Sequence, residues 1–240
     1  MKKIRVMVFP GAHNLPLYLM NEIEITYTKS RNEQISAIQQ QQVDIIHTSP
    51  DNLSLDDAHG LIPFLAGSVG PLSLFRTKNE PFQILGVDNA RSGFGRLAYV
   101  WLQKNRPDLS YKIIEIGGTL QRIEALKNGN ATMAIMHPPF SQLCEFMNYE
   151  KLGRIDEGYS TLCGVYHGKF TDKAVVDQYK NDYREAIRIL AGLHGHQIAA
   201  QLVEEYVKPP VGTIDSIVKE MIEEIVKAGV NVNVNENIKY

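Results

Sequence analysis

The sequence predicts an α/β protein of two lobes built on mostly parallel sheets. Three observations carry that expectation. Short apolar runs alternate with amphipathic segments, the pattern of repeated βα units. A second βα block sits between an opening βα block and a helical close. Such an insertion requires the chain to cross between lobes twice, and two crossings make a hinge over a cleft. The 240 residues suffice for one large domain or two small ones.

The elements follow in order. Residues 4–9 form an apolar run ended by Pro10-Gly11, and 23–28 alternate apolar and polar; both read as strands. Ser30-Arg31-Asn32-Glu33 is a capping box that starts a helix to about Gln41. Strands are expected at 43–47, 62–66 and 72–75, with Ser49-Pro50 offering an N-cap followed by proline at the first helical position. The second block has strands at 84–88, 112–116 and 133–136. Its helices start at Ser92, where Phe94, Leu97, Ala98 and Trp101 share a face, and at Thr119, with a third over 141–149. A strand at 161–167 precedes long amphipathic helices. Tyr179, Tyr183, Ile187 and Leu190 mark one, and Ile214, Ile217, Val218, Met221, Ile222 and Ile225 mark the last. Residues 230–234 alternate Val and Asn, as an exposed edge strand or ordered coil does. The expected division is residues 1–76 with 165–240 in lobe one and 77–164 in lobe two, with crossings near 74–77 and 158–164.

Composition excludes several classes of function. A hydrophobic share of 44% with 22% charged residues is ordinary for a folded domain and argues against disorder. A formal net charge of -2 offers no basic excess for a phosphate backbone, so no nucleic-acid partner is expected. Cys144 and Cys163 form no C-x-x-C pair and have no histidine at ligand spacing. They read as two buried free thiols, with a disulfide open but unsupported by spacing, and no transition metal is expected. Neither G-x-G-x-x-G nor a P-loop occurs, and no cofactor is expected. Met1-Lys2-Lys3-Ile4 has a basic pair without a following apolar run, which reads as the approach to a strand and not as a secretory signal. As written, the chain is expected to be soluble, cytoplasmic and monomeric; had a signal been removed, it would be extracytoplasmic.

Five small, polar or glycine-rich segments fall at strand ends: Pro10-Gly11-Ala12-His13-Asn14, His47-Thr48-Ser49-Pro50-Asp51-Asn52, Asn89-Ala90-Arg91-Ser92-Gly93-Phe94, Gly117-Gly118-Thr119 and His137-Pro138-Pro139-Phe140. Open α/β sheets bind ligands outside the carboxyl ends of their strands, and helix starts there present free amides. Taken singly, Ser92 and Thr119 read as caps, Pro50 as an N1 proline and the glycines as turn formers. Together, on two lobes, they outline a site.

Several segments resemble type II periplasmic binding proteins, and more narrowly the ABC-transporter receptors for aliphatic sulfonates, nitrate and thiamine pyrimidine precursors. They are His13-Asn14-Leu15-Pro16-Leu17-Tyr18, Val43-Asp44-Ile45, Ser92-Gly93-Phe94, Gly117-Gly118-Thr119-Leu120-Gln121-Arg122-Ile123-Glu124-Ala125-Leu126 and His137-Pro138-Pro139-Phe140. The resemblance spans about residues 3–164, with the helical remainder fitting in outline. It implies a receptor that closes on a small polar ligand, anionic or heteroaromatic, and passes it to a membrane permease. By position it implies ligand contacts from His13, Asn14, Thr48, Ser49 and Asn52 on lobe one. On lobe two it implies Ser92, Gly93, Gly118, Thr119 and Pro139.

The alternative is a cytoplasmic enzyme on the same fold, acting on a small metabolite. His13, His47 and His137 at strand ends are its general acid–base candidates. No G-x-S-x-G elbow, H-E-x-x-H helix or iron-linked cysteine cluster supports it, and no catalytic residue is assigned. A ligand-sensing regulator would need an output module that the sequence does not offer. Arg91 and Arg122 lie near the lobe-two strand ends, Arg122 at a position that suits surface packing.

Overall fold

The computed structural model describes residues 3–54, 58–157 and 159–231. In chain order the elements are β1 (Ile4–Val8), a 3-10 turn (Ala12–Asn14), α1 (Leu15–Tyr18), β2 (Ile23–Tyr27), α2 (Arg31–Gln39) and β3 (Ile45–Thr48). A second 3-10 turn (Pro50–Ser54) leads to β4 (Leu61–Gly67), β5 (Ser73–Arg76), β6 (Phe82–Val87), α3 (Gly93–Asn105), β7 (Ser110–Glu115), α4 (Thr119–Asn128) and β8 (Met133–Met136). The chain closes with α5 (Phe140–Phe146), β9 (Glu150–Arg154), β10 (Leu162–His167), α6 (Lys173–Leu190), α7 (Leu193–Tyr206) and α8 (Ile214–Ala228).

Among the described residues ten strands make two five-stranded sheets, ordered β2-β1-β3-β10-β4 and β7-β6-β8-β5-β9. The sheets are mixed, where mostly parallel ones were expected. β2, β1 and β3 run parallel, as do β7, β6 and β8. β10 is antiparallel to both β3 and β4, and β5 is antiparallel to both β8 and β9. The reason is the path of the chain. β4 carries it out of the first sheet and β10 brings it back beside β4, so the pair must run in opposite directions. β5 and β9 do the same in the second sheet.

The chain therefore passes between sheets at 68–72 and 155–161. Residues 73–76, expected with lobe one, pair in the second sheet, and β10 enters the first sheet from Leu162. An apolar run announces a buried strand but not which sheet it joins. β9 was not expected: its sequence Glu-Lys-Leu-Gly-Arg lacks an apolar run, and it is paired on one side only. Asn231 exchanges backbone hydrogen bonds with Ala66 at 2.8 and 2.9 Å, so the tail begins against β4. The rest of the expected tail strand, and Gly158 in the second crossing, lie outside the described residues.

The central strands are buried without alternation, as strands covered on both faces are. Every residue of β3, β5 and β8 is buried. On the first sheet, Tyr179 and Tyr183 of α6 pack with Phe64, Leu65 and Val6. In the second, Leu74, Leu85 and Val87 meet Ala98 and Leu102 of α3, while Ile123 and Leu126 of α4 lie with Phe75 and Phe140. The α8 face Ile217, Val218, Met221, Ile222 and Ile225 is buried against α7. The capping box is formed on its serine side, while the Ser30 amide donates to Thr28 Oγ1 at 3.2 Å. Ser30 Oγ accepts from the Glu33 amide at 3.2 Å, and the Glu33 carboxylate accepts from the Lys29 amide at 2.8 Å. Cys144 and Cys163 are buried free thiols, pushed up in pKa by burial. No helix among the described residues is long and apolar enough to cross a membrane.

Candidate functional site

A cleft of about 470 Å³, counted with its open mouth, lies between the sheets. The first sheet contributes Phe9, His13, His47, Thr48, Ser49 and Asn52; the second contributes Asp88, Ser92, Gly93, Phe94, Thr119, Arg122 and His137. Val69, Thr161 and Leu162, on or beside the two connections, complete the lining. Seven of the ten expected residues thus meet in one place. Asn14, Gly118 and Pro139 do not line it. The Asn14 amide donates to the Phe9 carbonyl at 2.7 Å, the Gly118 amide donates to the Lys29 carbonyl at 3.0 Å, and Pro139 occupies the N-cap of α5.

The two sides touch directly. The Ala12 amide donates to the Pro138 carbonyl at 3.0 Å. The rings of His13 and His137 meet edge to face with centroids 5.4 Å apart. Gly11 permits that meeting: a Cβ there would stand 2.5 Å from His137 Cε1 and 2.7 Å from His13 Nδ1. Gly93 likewise lies against Ser49 and Asp51.

On the second side a polar chain runs inward. Arg122, expected at the surface, is 3% exposed and folds back toward the start of its own helix. Its Nε donates to the Ile135 carbonyl at 3.2 Å, Nη1 to the Gly117 carbonyl at 3.1 Å and Nη2 to Thr119 Oγ1 at 2.9 Å. Thr119 Oγ1 is 3.0 Å from His137 Nε2, and His137 Nδ1 is 3.1 Å from the Pro138 carbonyl. The protons follow from these partners. A carbonyl only accepts, so His137 Nδ1 carries hydrogen. Burial lowers the His137 pKa to about 4, so the ring is neutral at pH 7 and Nε2 is bare. Thr119 must then donate to Nε2 while accepting from Arg122. Its one hydroxyl proton is committed. Ser92 differs: its oxygen accepts from the Gly95 amide at 3.2 Å as a cap, and its proton stays available.

The first side is also buried and neutral. Burial lowers the His47 pKa to about 3, and its Nε2 is 2.8 Å from the Tyr179 hydroxyl. His13 is held well below the usual histidine range, first by burial and then by the neighbouring His137 and His47. Asn52 Nδ2 donates to Thr48 Oγ1 at 2.8 Å. Asn52 Oδ1 and His13 Nδ1 are buried without a partner among the described residues. Half-buried Asp88, just past the end of β6, makes no hydrogen bond and no ion pair within 4.0 Å among the described residues. Its charge partly offsets the burial that lowers the Arg122 pKa.

Sequence reasoning missed Phe9, Val69, Asp88, Thr161 and Leu162 as lining residues. Phe9 and Asp88 each stand at a strand's carboxyl end, the signal that located the other segments. Among the described residues no group of three or more His, Cys, Asp or Glu side chains stands close enough to hold a metal ion.

No protein-family model and no curated protein sequence matches the chain. Solved structures do match. The alkanesulfonate-binding protein of Xanthomonas axonopodis pv. citri, bound to MOPS, aligns with a TM-score of 0.73 at 10% identity, over 96% of this chain and 86% of that one. The zinc-bound ligand-binding component of an ABC-type import system from Staphylococcus aureus gives 0.69 at 13% identity, over 100% and 87%. The periplasmic nitrate-binding protein of Synechocystis gives 0.67 at 8% identity, over 98% and 74%. At such identities the likeness is one of fold. The chain has the two-lobed type II periplasmic-binding-protein fold of ABC-type solute receptors, as its sequence segments implied.

Proposed function

We propose that this chain is a solute-binding protein of ABC-transporter type, capturing a small polar molecule, anionic or heteroaromatic, between its lobes. One observation carries the reading. Asn52 Oδ1 and His13 Nδ1 are buried in the cleft lining without partners among the described residues. Leaving such atoms unpaired costs roughly 1–3 kcal/mol each, and a ligand that pairs them recovers that cost. His13, Thr48, Ser49, Asn52, Ser92, Gly93 and Thr119 form the proposed contact set, with the lobes turning about residues 68–72 and 155–161. The protein acts as a monomer and delivers its ligand to a membrane permease. A thermal-shift screen against sulfonates, nitrate, pyrimidines and amino acids tests the reading. Binding to the folded state alone raises the melting temperature, by the equivalent of about 2.7 kcal/mol at a hundredfold excess over Kd. No shift with any of these classes removes it.

A second reading has an observation of its own. Thr119 Oγ1 and His137 Nε2 are 3.0 Å apart, with His137 Nδ1 held by a carbonyl, which is the geometry of a hydroxyl nucleophile and its base. The energetics oppose it. A base with a pKa of about 4 takes a hydroxyl proton poorly, and Arg122 occupies a lone pair of the same oxygen. Covalent labelling of Thr119 by an activated ester, detected by mass spectrometry and lost in His137→Gln, would favour the enzyme.

A further inference from the structure

We propose that Asp88 determines the specificity of the cleft, selecting a ligand that presents N–H donors and rejecting fully deprotonated oxyanions; this rests on the solute-binding reading. Two oxygen acceptors of the cleft, one on each side, make no hydrogen bond among the described residues. They are the Asp88 carboxylate beyond β6 and the Asn52 Oδ1 atom beyond β3. Of the donors facing them, the Ser92 hydroxyl proton and two of the five Arg122 N–H groups remain available, and the others are engaged within the protein. Arg122 gives a hydrogen bond from each of its three nitrogens, the Thr119 hydroxyl proton goes to His137, and the Asn52 amide gives to Thr48.

An oxyanion entering this space would bring only acceptors. It would leave Asn52 Oδ1 unpaired and would face the Asp88 charge in a setting of reduced dielectric, where like charges repel strongly. A molecule with amino, amidine or ring N–H groups would satisfy both atoms at once. The Asp88 charge acts on buried Arg122 and opposes its positive field at the cleft. Phe9 from one sheet and Phe94 from the other add flat apolar surface to the lining. The ligand class is therefore a small nitrogenous molecule, planar where it meets those rings, with N–H donors on its edge.

The test uses probe pairs matched in shape but opposite in hydrogen-bonding sense. Benzamidine against benzoate, and cytosine against nitrate and methanesulfonate, are titrated by calorimetry into the whole protein and into Asp88→Asn. The substitution keeps size and breaks no protein hydrogen bond, and unfolding of the unliganded variant by urea verifies its fold. The expected result is that benzamidine or cytosine binds the native chain and the oxyanions do not. Asp88→Asn should weaken the nitrogenous probes roughly ten- to hundredfold and narrow their margin over the oxyanions. Nitrate, methanesulfonate or benzoate binding the native chain more tightly than their partners would overturn the inference and leave the solute-binding reading standing. The same holds if affinity is unchanged in Asp88→Asn. No heat with any probe in either protein would overturn the inference and leave the solute-binding reading to the wider thermal-shift screen.

Discussion

Gly93, the first residue of α3, lies against Ser49 of the opposite sheet so closely that a Cβ there would displace the Ser49 hydroxyl; the same Cβ would stand 2.8 Å from Asp51 Cβ. Glycine is thus required by the approach of the two sides. Gly93→Ala should favour α3 by up to about 1 kcal/mol on propensity alone. It should also hold the lobes apart. The expected outcome is a larger radius of gyration by small-angle scattering, with a melting temperature at or above that of the native chain. An unchanged radius with a lowered melting temperature would show that the lobes absorb the extra carbon locally.

Ser92 combines two roles. Its oxygen caps α3, and its proton faces the cleft. Ser92→Ala should cost about 0.5–2 kcal/mol as a lost cap and also weaken binding of any probe that shifts the native melting temperature. Thr119→Ala should leave affinity nearer the native value, since its proton is already given to His137, but should destabilise by roughly 1–3 kcal/mol for each buried partner left unpaired. Urea unfolding and calorimetry on both variants separate these costs. Loss of stability alone in Ser92→Ala removes Ser92 from the contact set.

Acid should unfold the protein through its buried histidines. Burial lowers the pKa of His47 to about 3 and of His137 to about 4, and that of His13 in the same direction. Unfolded histidines titrate near 6.5. Above that pH neither state binds the protons and stability is full. As pH falls below it, the unfolded chain takes up protons that the folded chain refuses, so stability declines by about 1.4 kcal/mol per pH unit for each such histidine. The carboxylates of Glu33 and Glu150, lowered by their hydrogen bonds, act only in a more acid window. Urea midpoints should hold between about pH 7.5 and 6.5 and then fall steadily to about pH 5, less steeply in His47→Gln. A flat profile would mean that these rings reach water.

What the sequence made legible follows from periodicity and position. The α8 stripe and the Ser30 cap are local patterns, and both are formed as read, although Glu33 reaches back to the Lys29 amide rather than to that of Ser30. Strand ends before helices located seven cleft residues because an α/β sheet gathers those ends on one edge. Long-range pairing was not legible. Nothing local distinguishes residues 73–76 in the second sheet from the same run in the first, and β9 is held by its neighbour more than by its own propensity. Arg122 was misread for a similar reason. Its helical position allows solvent or interior, and the choice depends on three acceptors, of which the Ile135 carbonyl lies outside the helix, on β8.

Those three acceptors make Arg122→Lys a sharp test of the inner polar chain. The guanidinium spans the Ile135 carbonyl, the Gly117 carbonyl and Thr119 Oγ1 with donors fixed in one plane. An ammonium concentrates its donors on one nitrogen and cannot reach all three. Two buried acceptors would lose their partners, and the expected cost is about 2–4 kcal/mol, read as a lowered urea midpoint with unchanged slope. The pH dependence distinguishes this from ordinary loss of packing. A lysine buried at this site has its folded pKa pushed below the unfolded value of about 10.4. The folded variant then sheds a proton that the unfolded chain still binds. Its stability should rise with pH toward the unfolded pKa, so the deficit relative to the native chain should shrink between about pH 7 and 10. Arginine stays charged throughout that range and shows no such recovery. A deficit constant across the range would mean that the lysine reaches water, and that the carbonyls which hold Arg122 do not enforce its burial.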